Sequence, residues 1–251
     1  LQGEVGFVPP MESDVQLTTS AGIKENKKPS TMFLIGPIQD ENGRVIAVFT
    51  LRVDPWDFSK AVQSFDFLKS SEMYAFDKKG YLLTPSRFDQ QLRRIGLLAE
   101  GQSSALNIEI RDPGVNLVEG DRSTLERSQQ PLTQLVQRAL TLKRTATLSG
   151  IERGSSWIES NMTGYRDYRG VPVFGAWLWD FNLNIGLAAE IDEDEALLQY
   201  YQTRFMIVGT LGFTLFLSVG AILLVLIIGE RASKSLVKSR DTLEEKVEER
   251  T

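Results

Sequence analysis

A set of aromatic and charged residues is the part of this sequence best suited to binding a small molecule. Aromatic rings can form apolar walls, and an arginine and an aspartate can hold polar groups of a ligand, which is the mixture that small-molecule pockets use. The residues are Tyr74, Arg87, Tyr165, Asp167 and Trp177. An alternative stays open and is the more common arrangement, because pockets are few per protein: the rings form a core and the charges pair at the surface.

The composition excludes several kinds of catalysis. The chain has 251 residues, with no histidine and no cysteine. The lack of histidine excludes histidine triads, histidine general bases and most zinc sites, and the lack of cysteine excludes disulfides and thiol chemistry. The sequence contains no recognisable nucleophile–base pair, and we predict no catalytic residue, no metal site and no cofactor. A net charge of −5 argues against nucleic acid as a partner.

One segment is long and apolar enough to cross a membrane. Residues 205–229 form a run of 25 residues without a charged side chain. A bilayer core requires roughly 20 apolar residues in a helix, and this run would reach about 37 Å at about 1.5 Å per residue. Helices in soluble cores rarely stay apolar for so long. The pattern therefore favours a transmembrane helix over a buried core helix.

The charges that flank this segment predict its orientation. The acidic residues 192–195 and a single basic residue, Arg204, precede it, whereas four basic residues follow it: Arg231, Lys234, Lys238 and Arg240. Because positive charge marks the cytoplasmic side, we expect residues 1–204 outside the cell, in a bacterial periplasm, and residues 230–251 in the cytoplasm. Export of such a region normally needs a signal or an earlier span, so we expect a further span upstream in the inner membrane.

The first half of the exported part predicts two hairpins and two helices. Apolar residues 32–37, a turn at residues 40–43 and the β-rich residues 45–53 indicate the first hairpin. Asp54 followed by Pro55 is typical of a helix start, and we expect that helix to end near residue 67. Residues 73–76 and 81–84 predict the second hairpin, and residues 86–98 predict a partly helical segment.

The second half predicts a helix and three antiparallel strands. The helix covers residues 130–142, and much of the rest of residues 99–160 is typical of an insertion loop. The strands are expected at residues 165–168, 171–179 and 185–191. Alternation places Val173, Gly175, Trp177 and Trp179 on one face of the middle strand. Asp192 then begins another helix, with Glu195 at the position of a capping box.

Several strand and turn segments resemble the double Cache sensor domains of bacterial receptors. The strongest likeness is at residues 164–177, whose sequence is GYRDYRGVPVFGAW. Shorter likenesses are YAFD at residues 74–77, SRFD at residues 86–89 and RDPG at residues 111–114. Residues 31–54 are similar to the end of the membrane-distal module of that family.

The resemblance implies an α+β fold of two PAS-like modules, each an antiparallel sheet with helices, with the distal module truncated. We expect the following segments: the end of the distal module at residues 1–54, the proximal module at 55–192, a helix leading to the membrane at 193–204, the span at 205–229 and a cytoplasmic signalling helix at 230–251. Such domains sense small molecules for histidine kinases, nucleotide and diguanylate cyclases and chemoreceptors. The resemblance therefore implies a dimeric receptor with a small-molecule ligand outside.

The cytoplasmic end is typical of the start of a coiled coil. Leu236, Leu243 and Val247 lie on one helical stripe. The alternative, an amphipathic helix on the membrane, is disfavoured by the mixed charges of residues 244–249, because anionic lipid prefers a basic face. Residues 241–251 resemble the connector that precedes histidine kinase or diguanylate cyclase modules. No proline follows the span, as a chemoreceptor relay normally has, which favours an enzyme-linked receptor.

We therefore expect extracytoplasmic ligand sensing and signal transduction to a cytoplasmic output domain. Three alternatives stay open: a chemoreceptor without catalytic output, an ectodomain enzyme anchored by its span, and a structural or adhesive ectodomain. The lack of a nucleophile–base pair weakens the enzyme, and the coiled-coil start weakens the adhesive protein.

The span offers a stripe of small side chains for dimer contact. Thr210, Thr214, Ser218 and Ala221 follow one another at spacings of four, four and three residues, on one helix face. Small residues allow helices to approach closely in lipid, and hydroxyl groups can bond across the pair. The chain has no native cysteine, so single-cysteine variants from position 207 to 224 can be oxidised, and we expect crosslinking to peak on this stripe.

Two other outcomes would reject the stripe. Gly209, Gly212 and Gly220 offer competing faces, and crosslinks that peak on the opposite face, near Phe216 and Leu223, would assign the contact there. An absence of any periodic crosslinking would remove the dimeric span altogether.

Overall fold

The computed structural model describes residues 5–13, 30–64, 68–148 and 157–248. The chain divides into two compact units, Leu1–Ala196 and Leu197–Thr251. The first unit contains two antiparallel sheets and short helices, and a long helix that begins in this unit supplies the second. The predicted α+β fold class, with antiparallel sheets followed by a long apolar helix, is confirmed.

The first sheet has three strands in the order β1-β2-β3. These are β1 (Gly6–Glu12), β2 (Ser30–Gln39) and β3 (Val45–Val53). The predicted hairpin is confirmed, because β2 and β3 pair antiparallel. In its turn, a carboxylate oxygen of Asp40 accepts hydrogen bonds from the backbone N–H groups of Asn42 and Arg44 at 2.9 and 2.8 Å. The turn also requires Gly43, whose φ is +76°.

The helix predicted after Asp54 begins as expected. Helix α1 spans Pro55–Gln63, and the Asp54 side chain accepts a hydrogen bond from the backbone N–H of Trp56 at 2.9 Å. The expected end near residue 67 lies outside the described residues. The second hairpin is also present: β4 (Glu72–Phe76) turns back through Gly80, and the Leu83 N–H donates to the Ala75 carbonyl. Helix α2 (Asp89–Arg94) lies within the segment predicted to be partly helical.

The second sheet has four antiparallel strands in the order β4-β7-β6-β5. The three new strands are β5 (Trp157–Arg166), β6 (Pro172–Asp180) and β7 (Ile185–Asp192). Val173, Gly175, Trp177 and Trp179 share one face of β6, as the alternation predicted, and that face is buried. Tyr74, Phe76 and Tyr168 complete the aromatic core on that side.

Two boundaries in the second half were predicted wrongly. Strand β5 begins at Trp157, within the segment assigned to an insertion loop, because a register shift between Asn161 and Tyr165 and polar residues on this edge strand disturb the alternation. Helix α3 spans Gln134–Leu148 instead of residues 130–142. Its start is delayed because the carbonyl of Pro131 and the N–H of Thr133 bond to Asp112 and Ile110.

Helix α4 spans Glu193–Glu248, and short 3-10 turns lie at Leu117–Glu119 and Arg127–Gln129. Among the described residues, the segment Glu193–Lys238 of α4 is the one helix long and apolar enough to cross a membrane. Within it, the hydroxyls of Thr210, Thr214 and Ser218 donate to main-chain carbonyls one turn earlier, at 2.8–3.0 Å. A dimer contact through this stripe stays a prediction.

Close packing in the second sheet depends on a glycine under Phe76. A Cβ atom added to Gly186 would lie 2.1 Å from the Phe76 ring, whereas one added to Gly36 in β2 would meet nothing within 4 Å. We predict that Gly186→Ala lowers the free energy of unfolding by about 1–3 kcal/mol, because a buried ring has no room to move. Gly36→Ala is the matched control and should leave it unchanged or raise it by up to about 1 kcal/mol.

Urea denaturation followed by tryptophan fluorescence measures this difference. All four tryptophans of the chain lie in the first unit, so their emission reports on that unit alone. Equal midpoints for the two variants would contradict the proposed packing.

Candidate functional site

Two buried glutamates face each other across neighbouring strands of the second sheet. Glu72 on β4 is the pairing partner of Glu190 on β7, and Glu190 in turn lies opposite Gly175 on β6. The exposed fractions of the two glutamates are only 3% and 6%. Because a buried carboxylate is costly unless its oxygens are hydrogen-bonded, the groups around this pair define the site.

Hydroxyl groups supply most of those hydrogen bonds. Glu72 accepts from the Tyr168 hydroxyl at 2.6 Å, from the Ser86 hydroxyl at 2.5 Å and from the backbone N–H of Arg87 at 3.0 Å. Glu190 accepts from the hydroxyls of Tyr74 and Tyr165 at 2.8 and 2.7 Å. Within the described residues, the hydrogen-bond donors of these two carboxylates are thus neutral groups.

Gly175 makes room for one of these donors. A Cβ atom at this position would lie 2.1 Å from the Tyr165 hydroxyl oxygen. The Tyr165 ring also packs edge-on against Trp177, with ring centroids 6.1 Å apart. Small and aromatic residues on adjacent strands therefore fill the space above the sheet, so this face is a packed polar core.

Burial changes the proton affinity of both glutamates. It raises the pKa of Glu72 to about 7, although the bonds from Ser86 and Tyr168 act in the opposite direction. It raises the pKa of Glu190 to about 8, with a further contribution from the negative charge of Asp167. Burial and the neighbouring Glu190 also raise the pKa of Tyr74, so this tyrosine keeps its proton and stays a donor.

A buried arginine beside the pair connects three parts of the first unit. Arg169 is 3% exposed, and its guanidinium donates to Asp167 at 2.6 Å, to Gln91 at 3.0 Å and to Asp192 at 2.7 Å. Its carbon atom Cζ lies 3.7 Å from the centroid of the Phe88 ring. One cation therefore joins the β5–β6 turn, helix α2 and the end of β7.

The turn that carries Arg169 has a strict backbone requirement. Asp167 accepts hydrogen bonds from the backbone N–H groups of Arg169 and Val171 at 2.8 and 2.9 Å. Gly170 has a φ of +83°, and a Cβ atom there would lie 1.8 Å from the Val115 carbonyl oxygen. A side chain at position 170 would therefore displace the 113–115 segment or the turn itself.

The start of α4 is attached to the same region by a different arrangement from the one predicted. The Glu195 carboxylate does not close a capping box with Asp192. It accepts from the backbone N–H groups of Lys69 and Ser70 at 3.1 and 2.6 Å, and from the Ser70 hydroxyl. The Asp192 N–H donates instead to the Ser70 hydroxyl oxygen at 3.2 Å. The hydrogen bonds from Ser70 also lower the pKa of Glu195.

A surface cleft of about 590 Å³ lies next to this attachment. It is lined by residues 114–121, the β5–β6 turn and the first residues of α4. Its charged lining residues are one cation, Arg166, and five acids, Glu119, Asp121, Asp192, Glu193 and Asp194. Arg166 is already paired with Asp112 at 2.9 Å. The cleft therefore presents an excess of negative charge.

The structure brings together three of the five ligand-binding residues predicted from the sequence. The hydroxyls of Tyr74 and Tyr165 meet at Glu190, and Trp177 packs on Tyr165. Asp167 lies beside them but is bonded to Arg169. Arg87 contributes its backbone N–H to Glu72, but its guanidinium donates to the carbonyl oxygens of Leu68 and Ser71. Direct contact of this set with a ligand stays a prediction.

Sequence reasoning missed Glu72, Glu190, Tyr168 and Arg169. One signal was available: Glu72 is the single acidic residue of β4, and Glu190 is the single acidic residue of the otherwise apolar positions 185–191 of β7. An isolated carboxylate on a strand face that faces the core must find a donor. The identity of the donors was not available, because they come from distant segments.

No protein-family model and no curated protein sequence matches this chain. Among solved structures, it is similar to the extracellular domain of a putative histidine kinase, at 9% identity and a TM-score of 0.40, over 77% of this chain and 53% of that one. It is also similar to the ligand-binding domain of an amino acid chemoreceptor of Pseudomonas aeruginosa solved with L-Arg, at 10% identity and a TM-score of 0.37, over 81% of this chain and 56% of that one.

A third similar structure is the ligand-binding domain of a Campylobacter jejuni chemoreceptor solved with L-norvaline, at 11% identity and a TM-score of 0.35, over 76% of this chain and 49% of that one. The chain thus spans about half the length of these structures. The first of these structures is an extracellular domain, and the other two are ligand-binding domains of chemoreceptors.

The bonds of Arg169 to Asp167, Gln91 and Asp192 form the Arg169 network. We predict that replacing Arg169 has a much larger effect on stability than replacing the neighbouring Arg166. Arg169→Ala would leave the buried Asp167 carboxylate without its cation, which costs about 3–5 kcal/mol of unfolding free energy. Arg166→Ala removes an ion pair with Asp112 in which the arginine is 46% exposed, and should cost about 0–1 kcal/mol. Urea denaturation of both variants measures the difference, and similar losses would contradict a structural role for the Arg169 network.

Proposed function

We propose that this chain is the sensing and membrane-anchored part of a bacterial receptor. In this proposal the first unit binds a small molecule outside the cell, and α4 carries the resulting change to an output domain in the cytoplasm. The observation that carries the proposal is the attachment of the start of α4. Within the first unit, Arg169 binds Asp192, and Glu195 binds the main chain at Lys69 and Ser70.

This attachment supports a role in signalling because it joins the sheet to the helix that contains the apolar segment. Asp192 is the last residue of β7, and α4 begins at the next residue. A shift of the β5–β6 turn would therefore move Arg169 and change its bond to Asp192. A ligand can produce such a shift only if it binds the two arrangements with different affinity.

We place the ligand in the acidic cleft beside α4. Its volume of about 590 Å³ is within the range of about 300–1,000 Å³ that small-molecule sites have. The polar atoms of Tyr74, Tyr165 and Asp167 are already bonded to protein atoms, whereas the cleft is open. Its excess of carboxylates favours a ligand that carries a positive charge, since opposite charges attract most strongly where solvent is partly excluded.

The remaining features of the receptor are proposed from the sequence. Basic residues after the apolar segment support an outside first unit and a cytoplasmic C-terminal end. The residue boundaries of the two sensor modules, the homodimer and the further upstream span belong to the same proposal. A kinase or cyclase output is favoured over a chemoreceptor, because residues 230–251 contain no proline and have the pattern of a coiled-coil connector.

Two amino acids of similar backbone chemistry test the ligand class. L-Arginine and L-norvaline differ mainly in the cationic group of the side chain, and each was solved bound to one of the similar receptor domains. We predict that the full chain in lipid nanodiscs binds L-arginine more tightly than L-norvaline, as measured by calorimetric titration. The double variant Glu119→Gln with Asp121→Asn should weaken L-arginine binding about 10- to 150-fold, the effect of losing a charge-assisted bond.

Matched variants separate the possible outcomes. Glu100→Gln removes an exposed acid outside the cleft and should leave the affinity unchanged. Equal binding of the two amino acids, or no binding of either, would contradict a cationic ligand in this cleft. Weakening by Arg87→Ala but not by the cleft variants would move the site to the residues predicted from the sequence.

A further inference from the structure

The two buried glutamates lie two residues from the groups that hold the start of α4. Glu72 follows Ser70 by two residues, and Ser70 bonds to both Asp192 and Glu195. Glu190 precedes Asp192 by two residues on β7. Glu72 and Glu190 are paired across β4 and β7. A change in charge at this pair therefore occurs two residues from Ser70 and two residues from Asp192, which both take part in the attachment of α4.

The groups around the pair do not neutralise it. Tyr74, Tyr165, Tyr168 and Ser86 contribute hydroxyls from β4, β5 and the adjoining loops. The charged groups that face the pair are Asp167 and Arg169 on the β5–β6 turn. Arg87 contributes its backbone N–H to Glu72, while its guanidinium is directed to main-chain carbonyls.

Arg169, the cation that faces the pair, is already paired with two other carboxylates. It binds Asp167 and Asp192, so these three groups together have one excess negative charge when both glutamates are protonated. Ionisation of both glutamates would raise the excess to three. Like charges in a region of low dielectric repel strongly, and desolvation adds a further cost.

We propose that Glu72 and Glu190 form a proton-sensing pair, in which both carboxyl groups are protonated while the sheet holds the start of α4, and their ionisation as the external pH rises through neutrality loosens that attachment. The stimulus in this inference is the proton itself, so it goes beyond the proposed small-molecule ligand, and it rests on the proposed function only for the location of the first unit outside the cell. The raised pKa values, about 7 for Glu72 and about 8 for Glu190, agree with the geometry.

The direction of the effect on stability follows from proton linkage. In the unfolded chain both glutamates have a pKa near 4.5, whereas in the folded unit their pKa values are raised. Between these values the folded state binds more protons than the unfolded state, so stability falls as pH rises. The contribution of the pair is fully present below about pH 4.5 and is lost as pH rises through about 7–8.

Proton counting on the full chain in nanodiscs tests the inference. The number of protons released on unfolding is obtained from the pH dependence of the unfolding free energy, followed by tryptophan fluorescence. At about pH 6 we expect the double variant Glu72→Gln with Glu190→Gln to release about two protons fewer than the natural chain. Glu100→Gln is the control and should release as many as the natural chain. A difference of less than one proton for the double variant would overturn the inference.

Amide hydrogen exchange tests the connection to α4. After correction for the intrinsic rate, the backbone N–H groups of Ser70 and Asp192 should exchange faster above neutral pH than below it in the natural chain. The glutamine double variant should lose this difference. Equal protection of these groups at both pH values in the natural chain would overturn the connection.

A second variant keeps the test valid if the glutamine variant does not fold. Tyr165→Phe removes a hydroxyl that stabilises the ionised form of Glu190. The exchange transition at Asp192 should then move to higher pH. A transition at an unchanged or lower pH would overturn the inference.

Discussion

The first unit depends on the interactions of one buried group, the guanidinium of Arg169. A cation with 3% exposure must find acceptors for its donors inside the protein, because water cannot supply them. Its acceptors come from the β5–β6 turn, from α2 and from the end of β7, and the ring of Phe88 covers one face. The planar, always charged guanidinium suits this role better than a lysine would. The bonds of Arg169 therefore fix the positions of these three elements relative to one another.

The polar core next to Arg169 follows a different rule. Glu72 and Glu190 are satisfied by tyrosine and serine hydroxyls instead of cations. Such a network fixes a unique arrangement of side chains when every member is bonded, but its stability depends on proton occupancy. In the proposed receptor, this combination would give a core that is ordered and yet responds to proton binding near the start of α4. In this respect the site differs from the apolar interior that its aromatic residues suggest.

Local patterns predicted local structure well and failed where distant partners intervene. The hairpin turn with Gly43 and the helix start at Asp54 were predicted because both depend on residues within four positions. Strand β5 was placed too late because its register shift is imposed by pairing with β6. The capping box at Glu195 was wrong because the backbone of Ser70, 125 residues earlier in the chain, offers the carboxylate N–H groups that the local motif would have supplied.

The amino-acid sequence by itself determined the alternation of β6, the turn glycines and the long apolar segment of α4, because each is a property of consecutive residues. It also excluded histidine and cysteine chemistry. Only the tertiary structure decided that Glu72 faces Glu190, that Tyr74 donates to a carboxylate 116 residues away, and that Arg169 reaches Asp192. The physical reason is strand register: which residues of β4 and β7 meet depends on the packing of the whole sheet, and no single segment contains that information.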